Sequence, residues 1–166
     1  MKSKKILKLL ETNKVVLDVS FKDDNWRVAV PSKPGWYFFE TNTPPQAFQK
    51  VGLPKGKAHY NLPKKVRESL SLQLYDGCIL PKGRSLYVVY SGEARNLKSR
   101  AREHMAGHPK TACLALCNYP LLQKYIWRFH YVVCPAFEKP KASKLLRTFG
   151  EQVWRAVYAW PILCGK

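Results

Sequence analysis

Acidic residues are scarce in this chain, with 11 aspartates and glutamates among 166 residues. No D-x-D pair and no close pair of carboxylates on one helix face occurs, which argues against catalytic designs that hold two metal ions between clustered acids. Long apolar runs are also missing. The longest, such as Leu86 to Tyr90 and Tyr131 to Val133, are a handful of residues, far short of the roughly 20 that a membrane-spanning helix needs. The amino terminus (Met1, Lys2, Ser3, Lys4, Lys5) is basic, but Lys8 and Glu11 interrupt the leucines that follow. A secretory signal is therefore not expected, and a cytoplasmic protein is. The five cysteines (Cys78, Cys113, Cys117, Cys134, Cys164) are odd in number and irregularly spaced, unlike a secreted disulfide framework. His104, His108, Cys113 and Cys117 are zinc-ligand types, but their pairs stand closer than the dozen or so residues that separate the pairs of common fingers, so reduced thiols are expected rather than a structural zinc. Internal repeats and low-complexity tracts are absent.

What the chain has in excess is positive charge. Lysine and arginine number 29, giving a formal charge of +18. Phosphate polyanions are the natural partner of such a surface, because release of their counterions supplies affinity without sequence information. The length and an apolar content of 46% suit a single domain with one core.

Hydrophobic periodicity predicts the elements. Lys4 to Asn13 carries Ile6, Leu7, Leu9 and Leu10 among lysines and reads as a short helix. Val15 to Phe21 and Trp26 to Val30, separated by Lys22-Asp23-Asp24-Asn25, read as a hairpin. Gly35 to Thr41 is rich in aromatic strand formers. From Asn42 to Arg84 the composition shifts to proline, glycine and basic residues, the mark of an excursion from the sheet. Within it Thr43-Pro44-Pro45 can start a short helix, since proline suits the first positions, and Pro63 to Leu72 can form another. Ser85 to Tyr90 is a strand, Ala94 to Ala106 an amphipathic helix, and Tyr125 to Val133 a strand. Ser143 to Trp160 places Leu145, Leu146, Phe149, Val153, Val157 and Trp160 in one stripe, a helix with Ser143 as its expected cap. This order predicts an α+β fold, a small central antiparallel sheet flanked by helices. A core over 34–41 and 85–161 would carry an N-terminal extension (1–33) and a basic insertion (42–84) between the first two core strands.

With so few carboxylates, the search for a metal ligand is short. Asp23, Asp24, Glu103 and Glu138 fall in expected turns or on charged helix faces, which leaves a design with a single carboxylate. The segment Leu86 to His104, L-Y-V-V-Y-S-G-E-A-R-N-L-K-S-R-A-R-E-H, resembles the GIY-YIG nuclease family, whose second motif is a strand with tyrosine-x-glycine followed by a helix presenting arginine and then histidine. Tyr90-Ser91-Gly92 stands for that element, Asn96-Leu97 opens the helix, and Arg100 and His104 take the arginine and histidine positions. Gly35-Trp36-Tyr37 matches the first motif, and Glu151 is the only acid in the last helix, where the family keeps its metal-binding glutamate. The central residues of both motifs differ here, as Trp36 and Ser91. The asparagine that many members carry near a proline after the glutamate is missing, since Pro161 is followed by Ile162, Leu163 and Cys164.

The resemblance implies a metal-dependent DNA endonuclease with Tyr37, Tyr90, Arg100, His104 and Glu151 in its site, Glu151 holding Mg2+ or Mn2+. Arg100 would neutralise phosphoryl oxygens with its planar fork of donors, and His104 would hydrogen-bond a tyrosine hydroxyl or the water. Both tyrosines are implied to line the site, and the sequence does not say which faces the water. The long insertion looks more like restriction enzymes of the family than its compact members. Double-stranded DNA is the expected partner, with no membrane and with a second copy of the chain as a further candidate. The basic residues expected to touch DNA are Lys55, Lys57, Lys64, Lys65 and Arg67 of the insertion, and Arg95 and Lys98 beside the second motif. The alternatives are a basic nucleic-acid-binding module without chemistry, and a repair or recombination nuclease that recognises branched structure.

Overall fold

The computed structural model describes residues 3–135 and 140–164. Met1, Lys2 and Glu138, named above for their charge, lie outside them. A four-stranded sheet organises the molecule. Its strands are β1 (Val15–Asp18), β2 (Gly35–Thr41), β4 (Tyr87–Ala94) and β5 (Trp127–Val133), in the order β1-β5-β2-β4, every neighbouring pair antiparallel. The α+β class expected from the element order is the class observed. The central strand β2 is buried along nearly its whole length, so it reads as a continuous aromatic run rather than an alternation. Trp36 and Phe38 face one apolar cluster with Ile6, Leu10 and Val132, while Tyr37 and Phe39 face the larger one with Leu97, Phe129 and Leu114.

Helices cover both faces. On the Trp36 side lie α1 (Ser3–Thr12) and α6 (Pro140–Tyr158); on the Tyr37 side lies α5 (Leu97–Ala106). The excursion after β2 contains α3 (Pro45–Gln49), started by proline as expected, and α4 (Leu62–Leu70), whose cap Asn61 accepts the Lys64 N–H at 3.0 Å. It closes through β3 (Cys78–Ile79), which runs parallel to β6 (Trp160–Pro161) at the end of the chain.

Three local expectations are corrected. Trp26 to Val30 is not a strand: a helical turn, α2 (Asn25–Val28), stands there, and β1 pairs with β5 instead of forming a hairpin. The reason is local, because the Asp23 carboxylate accepts the Asn25 N–H at 3.0 Å and turns the chain into the helix. Trp26 then docks its ring on Phe129. Ser143 is not the cap of α6, which begins at Pro140; its hydroxyl accepts from Arg147 instead, at 2.7 Å. The stripe expected on α6 is also split: Leu146 and Val153 pack on the Trp36 cluster, while the rest of the helical stripe faces outward. Leu145 is 72% exposed and Phe149 44%, and Val157 is exposed too. The helix docks through Gly150, where a Cβ would meet Trp36 Nε1 at 2.6 Å, and this close approach lets that indole donate to the Arg147 carbonyl at 2.7 Å. The polar flank with Arg147, Glu151, Trp154 and Arg155 is consequently turned toward the sheet.

Candidate active site

Register on the sheet sets the site. Tyr37 lies opposite Gly92 and Phe39 opposite Tyr90 in the β2–β4 pair, so Tyr37 and Tyr90 share a face and stack with ring centroids 6.0 Å apart. The strand β4 does not end at the Y-S-G element but runs through it to Ala94, which places Gly92 inside the ladder. A glycine is required there by space: a Cβ would stand 2.5 Å from Tyr37 Cζ and collide with its hydroxyl. Helix α5 follows, capped by Asn96, whose side chain accepts the Ser99 N–H at 2.9 Å. Residues one turn apart point the same way, and Arg100 and His104 both reach Tyr37.

The hydrogen bonds fix the protonation of this group. The Leu114 N–H donates to His104 Nδ1 at 3.2 Å, so the proton of the neutral ring sits on Nε2. That N–H donates to Tyr37 Oη at 2.9 Å, and Arg100 Nε donates to the same oxygen at 3.0 Å. Burial first, and then the Arg100 charge, hold the His104 pKa well below the ordinary imidazole value. Two converging donors favour a phenolate at Tyr37, as does the Arg100 charge, yet burial dominates and pushes the phenol above its usual range. Tyr90 is raised as well, again chiefly by burial. Arg100 is itself held by Glu103 at 2.8 Å and by the Ala112 carbonyl at 2.6 Å. Glu103, expected on a charged helix face, is thus spent on orienting the arginine.

Glu151 stands on α6, around the β4 edge. Its carboxylate pairs with Arg155. Burial raises its pKa, Arg155 opposes the rise, Glu93 adds to it, and Arg100 acts on it in the lowering direction. The structure therefore gathers Tyr37, Tyr90, Arg100 and His104 by direct contact, and of these it sets Arg100 within electrostatic reach of Glu151. Arg155 also donates to Ser91 Oγ and to the Ser91 carbonyl, both at 2.9 Å. Its guanidinium lies 4.7 Å from the Trp160 ring centroid.

Sequence reasoning missed three participants. Glu93, paired with Arg147 at 2.6 Å, is a second carboxylate near Glu151 that no spacing could reveal, because it arrives from another element. Arg155, one helical turn after Glu151, pairs with it and reaches across to Ser91 on β4. Tyr60, from the insertion, places its hydroxyl 3.2 Å from that of Tyr90. Nothing in its local sequence signals this.

Among the described residues no three His, Cys, Asp or Glu side chains converge on a common point, so a cage built wholly of such side chains is not formed there. In particular the four candidate zinc ligands do not gather: both nitrogens of His104 are engaged, and His108 Nδ1 accepts the backbone N–H groups of Lys110 and Thr111. A hard cation that keeps its waters and takes substrate phosphate as ligand needs only one or two carboxylates. The oxygen donors of Glu151, with the Glu93 charge beside them, fit that demand once Arg155 yields its hold on the carboxylate.

The basic residues divide into groups. Lys64 and Lys65 line a cleft of about 710 Å³ between α4 and the Trp160–Cys164 segment, with Lys64 also 3.8 Å from Glu68. Lys98 lines a second, shallower concavity beside Arg27 and Arg102. Lys55, Lys57, Arg67 and Arg95 are exposed. No helix among the described residues is long and apolar enough to cross a membrane.

No family model, curated protein or solved structure matches this chain. The functional reading therefore rests on the residues themselves.

Proposed function

We propose that the protein is a metal-dependent DNA endonuclease of GIY-YIG type, in a restriction setting, hydrolysing phosphodiester bonds at the site built on Tyr37, Tyr90, Arg100, His104 and Glu151. The observation that carries this reading is the convergence of Arg100 Nε and His104 Nε2 on one tyrosine oxygen, with a second tyrosine stacked beside it and a partly buried glutamate within reach of the Arg100 charge. Two fixed donors on one buried phenol oxygen favour negative charge there, where burial alone would keep the phenol neutral.

In this reading Arg100 carries its permanent charge at the rim of the tyrosine pair, where it can meet phosphoryl oxygens as negative charge grows on them. His104 stays neutral and donates, holding Tyr37 and, through the stacked rings, Tyr90 in place. Tyr90 takes the proton of the attacking water as it passes its own outward, since it alone of the pair is linked by its hydroxyl to the insertion, through Tyr60. A magnesium or manganese ion on Glu151 would supply Lewis-acid charge to the phosphate and lower the pKa of bound water. The cleft lined by Lys64 and Lys65 gives the DNA backbone its approach.

The test separates catalysis from binding. Purified protein should nick or cut plasmid DNA with magnesium or manganese and stop with a chelator. Glu151→Gln should abolish cleavage while DNA affinity holds or tightens, and Arg100→Ala should abolish cleavage with a modest loss of affinity. A Glu151→Gln rate within about tenfold of wild type, a loss under roughly 1.4 kcal/mol, is too little for a sole metal ligand. That outcome selects the second reading, a basic nucleic-acid-binding module, which the Glu151–Arg155 ion pair favours.

A further inference from the structure

The inner end of the tyrosine group is closed to protons. His104 Nδ1 accepts a backbone N–H, its Nε2 already carries a hydrogen, and burial beside Arg100 keeps the ring neutral. Arg100 does not give up its proton. Neither neighbour of Tyr37 can therefore carry away a proton delivered to the pair. Exposure falls along the group toward that closed end: Tyr60 is half-buried, Tyr90 is 6% exposed, Tyr37 is 1% and His104 is 0%. The polar contact leading outward from Tyr90 Oη is to Tyr60 Oη, at 3.2 Å.

Tyr60 is held for this contact by its surroundings. Its N–H donates to the Cys113 carbonyl at 2.9 Å, tying the insertion to the segment behind α5. Lys65 stands over its ring at 5.1 Å from the centroid, and the next residue, Asn61, caps α4 and lines the cleft with Lys64 and Lys65. The half-buried phenol thus stands between the buried tyrosines and Lys65, whose side chain lines the open cleft.

We infer that Tyr60, contributed by the insertion, is the proton outlet of the site, accepting from Tyr90 and releasing to water in the cleft. This inference rests on the nuclease reading. As the attacking water's O–H bond breaks, its proton goes to the Tyr90 oxygen while the Tyr90 proton passes to Tyr60 Oη and the Tyr60 proton passes to water, so both phenols stay neutral throughout. The remaining hydroxide forms a P–O bond while the bond to the leaving oxygen breaks with its electron pair, and that oxygen takes a proton from cleft water. One proton enters from solvent and one returns to it. The insertion thereby acts in turnover as well as in holding DNA, and Tyr60 is a positioning and relay residue rather than one that touches the phosphate.

Tyr60→Phe is the decisive variant, because it keeps the ring and its Lys65 contact and removes only the hydroxyl. Single-turnover cleavage of plasmid DNA should fall by about tenfold or more with DNA affinity unchanged, and added imidazole, a small diffusible proton acceptor, should restore part of the rate. An unchanged rate, or a slowed rate that imidazole does not raise, overturns the outlet. A second arm needs no cleavage. After a jump to alkaline pH, the tyrosinate absorbance of the buried phenols should develop more slowly in Tyr60→Phe than in wild type, and equal rates overturn the inference. Wild type that cuts no DNA with either metal refutes the nuclease reading alone, and the pH-jump comparison then decides whether Tyr60 is the outlet of the buried pair.

Discussion

Replacing Gly92 by alanine should cost far more than one methyl group does elsewhere on a strand. The new Cβ would lie 2.5 Å from Tyr37 Cζ and 2.9 Å from Cε1. Restoring ordinary contact requires the ring to move by about 1 Å, which stretches its 2.9 Å and 3.0 Å hydrogen bonds to His104 and Arg100 to about 4 Å, beyond bonding range. Overpacking of this kind costs about 1–3 kcal/mol. The two bonds add about 1 kcal/mol for the neutral donor and about 1.5–3 kcal/mol for the charged one. Because the terms share one displacement they do not simply add, and the expected loss is about 3 kcal/mol, or a melting temperature lower by about 6–12 °C in a chain of this size. Thermal and urea unfolding measure it. In a Tyr37→Phe background the same substitution should cost about 1–2 kcal/mol less, since the hydrogen bonds are already gone. A Gly92→Ala protein within about 0.5 kcal/mol of wild type would refute the placement of the Tyr37 ring over Gly92, and with it the geometry of the site.

Stability should depend on pH through His104. Burial and the neighbouring Arg100 charge depress its folded pKa below the ordinary imidazole value, so the unfolded chain binds a proton that the folded one refuses, and stability falls as pH drops below about 6.5, with a limiting slope of about 1.4 kcal/mol per pH unit. Urea unfolding of His104→Gln across that range should lack this one-proton slope; an identical slope would show that the ring is not buried as described. On α6, Leu145→Lys and Phe149→Lys should each change stability by less than about 1 kcal/mol because both side chains are largely exposed, whereas Gly150→Val should be destabilised by more than about 2 kcal/mol against Trp36. The reverse ranking would mean that the apolar stripe faces the core after all. The double variant Lys64→Ala/Lys65→Ala should weaken DNA binding and flatten its salt dependence by about 1.8 in the log–log slope, and an unchanged salt series would remove α4 from the interface.

Much of the site was legible in one dimension because its motifs are local. Gly35-Trp36-Tyr37 and Tyr90-Ser91-Gly92 sit on strands whose aromatic character shows in composition, and Arg100 and His104 lie one helical turn apart after the Asn96 cap, so their common direction follows from periodicity alone. The orientation of α6 was not legible. Only Leu146 and Val153 of its apolar stripe dock with Trp154 on the Trp36 cluster, because Gly150 admits the Trp36 indole and Arg147 finds Glu93 and Ser143. Shape and ion pairing overrode hydrophobic periodicity there. Trp26 failed for a related reason, since a strand-like run of side chains says nothing of an Asp23 carboxylate that turns the chain into a helix.

The sequence by itself determined the α+β class, the central strand, both motif segments and the excess of positive charge, because each depends on neighbours within a turn or a strand. Tertiary structure alone decided which groups meet. The pairing of Tyr37 with Gly92, the arrival of Tyr60 at Tyr90, and the neighbourhood of Glu93, Glu151 and Arg155 join residues from separate elements. Contacts of that kind depend on sheet register and helix docking, which are set by the sum of many packing choices and leave no mark at any one position in the chain.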